Sequence, residues 1–159
     1  MDRRMFLKNA AVVSAVAGIA GTAVAAERYF PTKVDQTLFE AINRAKDPLQ
    51  KTPLEKSHAP VLMVPPMAKA GEPFTVEVSV GEVLHPMGPV HWIEYIELGI
   101  GNEPAGRIDF QPKGYLKPKA IFTVILPSDA APGGKVTLIA RQRCNLHGLW
   151  EGSVDITLA

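Results

Sequence analysis

The chain has 159 residues, 47% of them hydrophobic, and a formal charge of +1, which suits one soluble domain and excludes the basic excess that nucleic-acid binding calls for. A single cysteine excludes an internal disulfide. Fourteen prolines and thirteen glycines favour many short elements joined by turns.

The first 26 residues stand apart. Met1–Lys8 reads MDRRMFLK, and the alanine, valine and glycine run from Ala10 to Ala26 contains Ala23-Val24-Ala25, a small-residue cleavage pattern. Arg3-Arg4 followed by Phe6-Leu7-Lys8 resembles a twin-arginine export signal, which serves proteins exported after folding. A membrane span needs about 20 strongly apolar residues, and this run is shorter and broken by Gly18 and Gly21. Residues 1–26 therefore read as a cleaved signal, the mature protein as periplasmic and without a membrane attachment. A bare thiol is at risk in an oxidising compartment, so Cys144 is better placed as a ligand in a protein that acquires its metal before export.

Residues 27–52 form an N-terminal extension. Within it Val34, Leu38, Ala41, Ile42 and Ala45 have the spacing of an amphipathic helix over 34–46, with Asp35 as its cap and Pro48 beyond its end. No chemistry falls on it. From Pro53 the period changes to two: Phe74, Val76, Val78 and Val80 alternate with polar residues, as do Val154, Ile156 and Leu158. Further apolar runs at 61–64, 92–100, 105–110, 119–126 and 135–141 are bounded by Pro, Gly or Asn. Residues 53–159 thus read as about seven short strands, the pattern of an all-β, immunoglobulin-like antiparallel sandwich preceded by a short helix.

The connections carry the chemistry. Cys144 stands three residues before His147 in RQRCNLHGLW, His85 and His91 lie six apart in HPMGPVH, and His58 precedes the strand at Val61. Loops on a rigid sandwich are where binding groups sit, and all four histidines and the only cysteine fall on connections or strand ends. Singly, each histidine reads as a surface or hydrogen-bonded residue, and Cys144 as a small buried hydrophobe. A nucleophilic cysteine with a histidine base leaves His58, His85 and His91 without a role, and a structural zinc closes with four ligands. Five donors with room for a sixth suit a redox ion that binds substrate at its open position.

Two strings carry a family resemblance. His85-Pro86-Met87 followed by His91-Trp92-Ile93-Glu94-Tyr95-Ile96-Glu97-Leu98, and Cys144-Asn145-Leu146-His147-Gly148-Leu149-Trp150-Glu151, resemble the iron-binding motifs of superoxide reductases, the desulfoferrodoxin and neelaredoxin family. The likeness runs from about Leu54 to the C-terminus. It implies a mononuclear non-haem iron with His58, His85, His91 and His147 as equatorial imidazoles and Cys144 as axial thiolate. It also implies the one-electron reduction of superoxide to hydrogen peroxide, without dioxygen, in oxidative-stress defence. The single cysteine departs from the two-iron members, which add a rubredoxin-like module. Ser57 departs locally, because the family commonly has Glu-Lys-His in direct succession. Through the resemblance Glu55 matches a carboxylate that takes the sixth position of ferric iron, and Lys56 a residue that attracts the superoxide anion. The implied partners are superoxide, an unidentified periplasmic electron donor and, in some members, further copies of the chain. The alternative from another class is a cupredoxin-like electron carrier, a two-histidine, one-cysteine copper site with an axial methionine, but residues 148–152 supply no methionine. A metal-free binding or assembly protein is the third reading.

Overall fold

The computed structural model describes residues 36–159, so the export-signal reading at 1–26 and the first part of the extension lie outside the described residues. The helix expected over 34–46 is not formed within them. Gln36–Phe39 makes one 3-10 turn, and Asn43 instead forms a parallel bridge with Trp150. Its amide donates to Leu149 O at 2.8 Å, and its carbonyl accepts from Glu151 N at 2.9 Å. Ladder bonds to a strand override a weak helical period.

The regular elements are a short helix, α1 (Pro53–His58), and eight strands. These are β1 (Pro60–Met63), β2 (Met67–Ala68), β3 (Pro73–Val80), β4 (Ile93–Ile100), β5 (Glu103–Asp109), β6 (Lys119–Ile125), β7 (Lys135–Cys144) and β8 (Gly148–Leu158). One sheet has the order β1, β3, β6 and the other β2, β8, β7, β4, β5. The strand pairings are antiparallel except for β2 on β8. The all-β, two-sheet expectation holds. The additional strand, β2, is two residues long, too short to show a period. β8 begins at Gly148 and carries Gly152 against the Pro60 carbonyl, where a Cβ would collide; two glycines in five residues hide the alternation there.

Both sheets contribute to one core. Val76, Val78 and Val80 of β3 join Ile96 and Leu98 of β4, Leu138 of β7 and Ile156 of β8, each burial contributing about 1.5–3 kcal/mol. The inward row of β7 runs Val136, Leu138, Ala140, Gln142, Cys144. The thiol is thus the last member of a core row, with no solvent exposure. The β7–β8 ladder closes at Cys144 opposite Gly148, so Cys144 and His147 belong to one tight hairpin. Across the sheet, the register of β4 on β7 slips between Ile93 and Tyr95, a bulge directly beside the thiol.

Candidate metal centre

His58 is delivered by α1, whose start is fixed by a capping box: Glu55 N donates to Thr52 Oγ1 at 3.2 Å, Thr52 N donates to Glu55 Oε2 at 2.7 Å, and Pro53 opens the helix. One turn on, His58 Nδ1 lies 2.9 Å from Leu54 O. A carbonyl only accepts, so this nitrogen carries the proton and Nε2 presents its lone pair. From the core, Gln142 Nε2 donates to His58 O at 2.9 Å. Ser57 extends the helix, its hydroxyl 3.1 Å from both Pro53 O and Leu54 O.

The loop between β3 and β4 supplies His85 and His91. It leaves β3 through Gly81 at φ +82, where a Cβ would stand 2.5–2.8 Å from the carbonyl oxygens of Val83, Ser57 and Lys56. Only glycine fits, and the close approach lays this loop against α1. His85 Nδ1 bonds Pro86 O at 2.6 Å, again leaving Nε2 for the site. Asn145 joins this loop to the β7–β8 hairpin. Its Oδ1 accepts from Trp92 N at 2.9 Å, its Nδ2 donates to Val90 O at 3.0 Å, and its amide donates to Trp92 O at 3.2 Å. Trp150 Nε1 donates to His147 O at 2.8 Å, and its ring lies 5.4 Å from that of His58.

The four imidazoles form a square. Around its edge run His58 Nε2 to His85 Nε2 at 3.1 Å, His85 Nε2 to His91 Nε2 at 3.0 Å, His91 Nε2 to His147 Nδ1 at 3.1 Å, and His147 Nδ1 to His58 Nε2 at 2.9 Å. The centre of such a square is about 2.1 Å from each corner, the usual length of a bond from histidine nitrogen to a first-row metal. Adjacent rings meet at 69–81° and the opposed His58 and His91 rings at 27°, like blades about one axis. Cys144 Sγ stands 3.1, 3.5 and 3.6 Å from the nitrogens of His91, His147 and His85. In the plane only the centre is equidistant from three corners; the sulfur is nearly so at a greater distance, so it lies off the plane and caps one side. Among the described residues no other His, Cys, Asp or Glu joins the group, and His91 and His147 are only half-buried, so no sixth side-chain donor of these types closes the side opposite the sulfur. Four nitrogens and one sulfur exceed both a closed zinc site and a two-histidine, one-cysteine copper site.

The family model of desulfoferrodoxin matches residues 50–153. The chain belongs to the desulfoferrodoxin family. A relative from Methanocaldococcus jannaschii is 38% identical over 122 residues, covering 77% of this chain and 98% of its own length. The superoxide reductase of Pyrococcus horikoshii is 34% identical over 110 residues, 64% of this chain and 88% of that one. Among solved structures, the superoxide reductase (neelaredoxin) of Ignicoccus hospitalis superposes with a TM-score of 0.62 at 32% identity, covering 80% of this chain and all of that one. The family centre is a mononuclear iron, and the square of imidazoles with its capping sulfur fits one.

Against that family pattern, the structure sets Glu55 apart. Its carboxylate is buried, with Oε2 on Thr52 N and Oε1 accepting from Lys46 N at 3.1 Å. These backbone amides hold its pKa below the ordinary carboxylate value. In this conformation it caps a helix and does not reach toward the square. Lys56 is exposed and makes no ion pair with the described residues; neighbours two apart on a helix project about 200° apart, so it does not share the face of His58. The capping box itself, Thr52-Pro53-Leu54-Glu55, was present in the sequence as a helix-start signal, and α1 was the element it announced. Asn145, Gln142 and Asn43, which hold the ligand-bearing pieces, carried no comparable signal.

The electrostatics favour metal uptake. Burial, then the neighbouring imidazoles, lowers His58 to about 4, His85 to about 3 and His91 to about 4, so at neutral pH these rings are neutral donors. Burial pushes the Cys144 thiol up to about 11, so a metal that binds it as thiolate displaces a proton. In chelator-treated protein the unfolded chain takes up protons near pH 6.5 while the folded rings do not. Stability is therefore complete above that pH and falls as pH drops towards 4. The urea midpoint of the metal-free protein is expected to be lower at pH 5 than at pH 7.5; an equal or higher midpoint at pH 5 contradicts the burial of these rings.

Proposed function

We propose that the chain reduces superoxide to hydrogen peroxide at an iron held by His58, His85, His91, His147 and Cys144. The square of four imidazole nitrogens, capped on one side by the only thiol and, among the described residues, without a His, Cys, Asp or Glu donor on the other, carries this reading. Bound iron supplies, in its ferrous state, the single electron that superoxide takes up. The residues do the rest. The neutral imidazoles add no charge, so the Cys144 thiolate is the one negative donor set against the charge of the metal. Cys144, closed off by the core, keeps its sulfur from oxidation and, as a thiolate, would add electron density to the metal it holds. The two protons of the product come through the open side. Purified mature protein is expected to hold about one iron per chain and to show a thiolate-to-iron charge-transfer band that bleaches on reduction; an intense blue copper band, or no metal after growth in iron, overturns the assignment.

Lys56 acts on the approach of substrate. As an exposed cation on the last turn of α1, it contributes to the field at the mouth of the site without touching the reacting atoms. Lys56→Ala is expected to lower the second-order rate constant with superoxide roughly two- to threefold at low salt, as for one charge in a steering field, and to match wild type near 0.5 M salt, where the screening length is only about 4 Å. A deficit that persists at high salt would make Lys56 a proton-handling residue instead. Glu55 is assigned to the cap of α1, which orients His58.

The mature protein works in the periplasm, exported through the paired arginines Arg3-Arg4, and draws electrons from a donor there. The reading rests on the MDRRMFLK start, the small-residue end of the apolar run and the benefit of loading metal before export. Cell fractionation is expected to find the iron protein in the periplasm and Arg3→Lys/Arg4→Lys to leave it in the cytoplasm; periplasmic delivery of the double variant would reject the twin-arginine route. Assembly with further copies of the chain is part of the same proposal, checked by solution mass.

A further inference from the structure

Residues 38–46 lie outside the span matched by the family model, yet they are built onto the metal centre. Leu38 O sits where a Cβ on Gly148 would be, and Gly148 adopts φ +72 to admit it. Asn43 Nδ2 donates both to that same Leu38 O at 2.8 Å and to Leu149 O at 2.9 Å, while the Asn43 backbone bonds Leu149 and Glu151. One side chain thus ties the Leu38 carbonyl, which packs against Gly148, to the Leu149 carbonyl of the next residue; Gly148 itself follows His147 and pairs with Cys144. Three residues further, Lys46 N donates to Glu55 Oε1, a tie to the helix that presents His58. The segment therefore joins the hairpin that carries Cys144 and His147 to the helix that carries His58.

We infer that residues 38–46 are a strap that sets the position of the Cys144–His147 hairpin, with Asn43 as its positioning residue. The inference rests on the reading of these five residues as an iron site, but its first test needs no metal. Without the side-chain amide of Asn43 the Leu38 carbonyl loses that donor and Leu149 O keeps only the Asn43 backbone N–H, so the hairpin opens locally more often. The fully buried Cys144 thiol reports that opening.

In metal-free mature protein, Asn43→Ala is expected to raise the rate of Cys144 labelling by a thiol reagent about tenfold, the change that two lost hydrogen bonds produce. Arg44→Ala, which breaks only the ion pair from the same segment to Glu151, is expected to stay within about twofold of wild type. In iron-loaded protein Asn43→Ala is expected to move the charge-transfer maximum, and Arg44→Ala to leave it in place. Labelling of Asn43→Ala at the wild-type rate with an unmoved band overturns the strap, as does faster labelling that merely follows an equal fall in the global urea midpoint. If the wild type takes up no iron, the functional reading fails, and the labelling arm still decides the strap.

Discussion

Cys144→Ser is expected to abolish the thiolate-to-iron band and to lower superoxide reduction by more than about 100-fold, beyond the 10- to 100-fold range seen when only a group supporting a ligand is lost. The reason is positional. Among the described residues the sulfur is the sole His, Cys, Asp or Glu donor off the imidazole plane, 3.1–3.6 Å from three of its corners, and a serine oxygen is a far weaker electron donor. The fold should survive, since Cys144 closes a core row whose other apolar members, Val136, Leu138 and Ala140, are untouched. Circular dichroism near wild type with the band gone is the predicted pair of results. A variant that keeps the band would place the thiolate elsewhere, and the chain has no other cysteine.

Gly148→Ala is expected to cost about 3 kcal/mol in stability and to reduce iron occupancy of the purified protein. The backbone term alone, an alanine at positive φ, is about 1–2 kcal/mol. Gly101 offers the comparison: at φ +56 it has nothing within 4 Å of a Cβ, whereas at Gly148 the Cβ would collide with the Leu38 carbonyl. Gly101→Ala therefore measures the backbone term, and the excess in Gly148→Ala measures displacement of the strap. Equal losses in urea denaturation would show that Leu38 moves aside without cost and that the hairpin does not depend on it.

Much of the site was legible because its chemistry is concentrated in rare residues. Four histidines and one cysteine, all on connections or at the ends of elements, leave few possible donors on composition alone, and the period-two runs mark the strands between them. The converging geometry brings the five together as expected. What escaped the sequence has physical causes. The apolar spacing over 34–46 suggested a helix, but nothing local reports that Asn43 finds a strand edge more than a hundred residues away. α1 is six residues long, too short for a period, and shows only in its capping box. The same box explains Glu55: a carboxylate three residues after a threonine has backbone amides to satisfy, a local demand that competes with any more distant ligand.

The central claim is tested most directly by mixing ferrous, iron-loaded mature protein with superoxide in a stopped-flow cell and following peroxide, dioxygen and the charge-transfer band together. One peroxide per iron oxidised, the band appearing as the ferrous form is consumed, and no dioxygen evolved by the protein is the predicted result. Dioxygen released in step with peroxide would make the protein a dismutase, and an unreactive centre would leave the five ligands as a metal site without this chemistry.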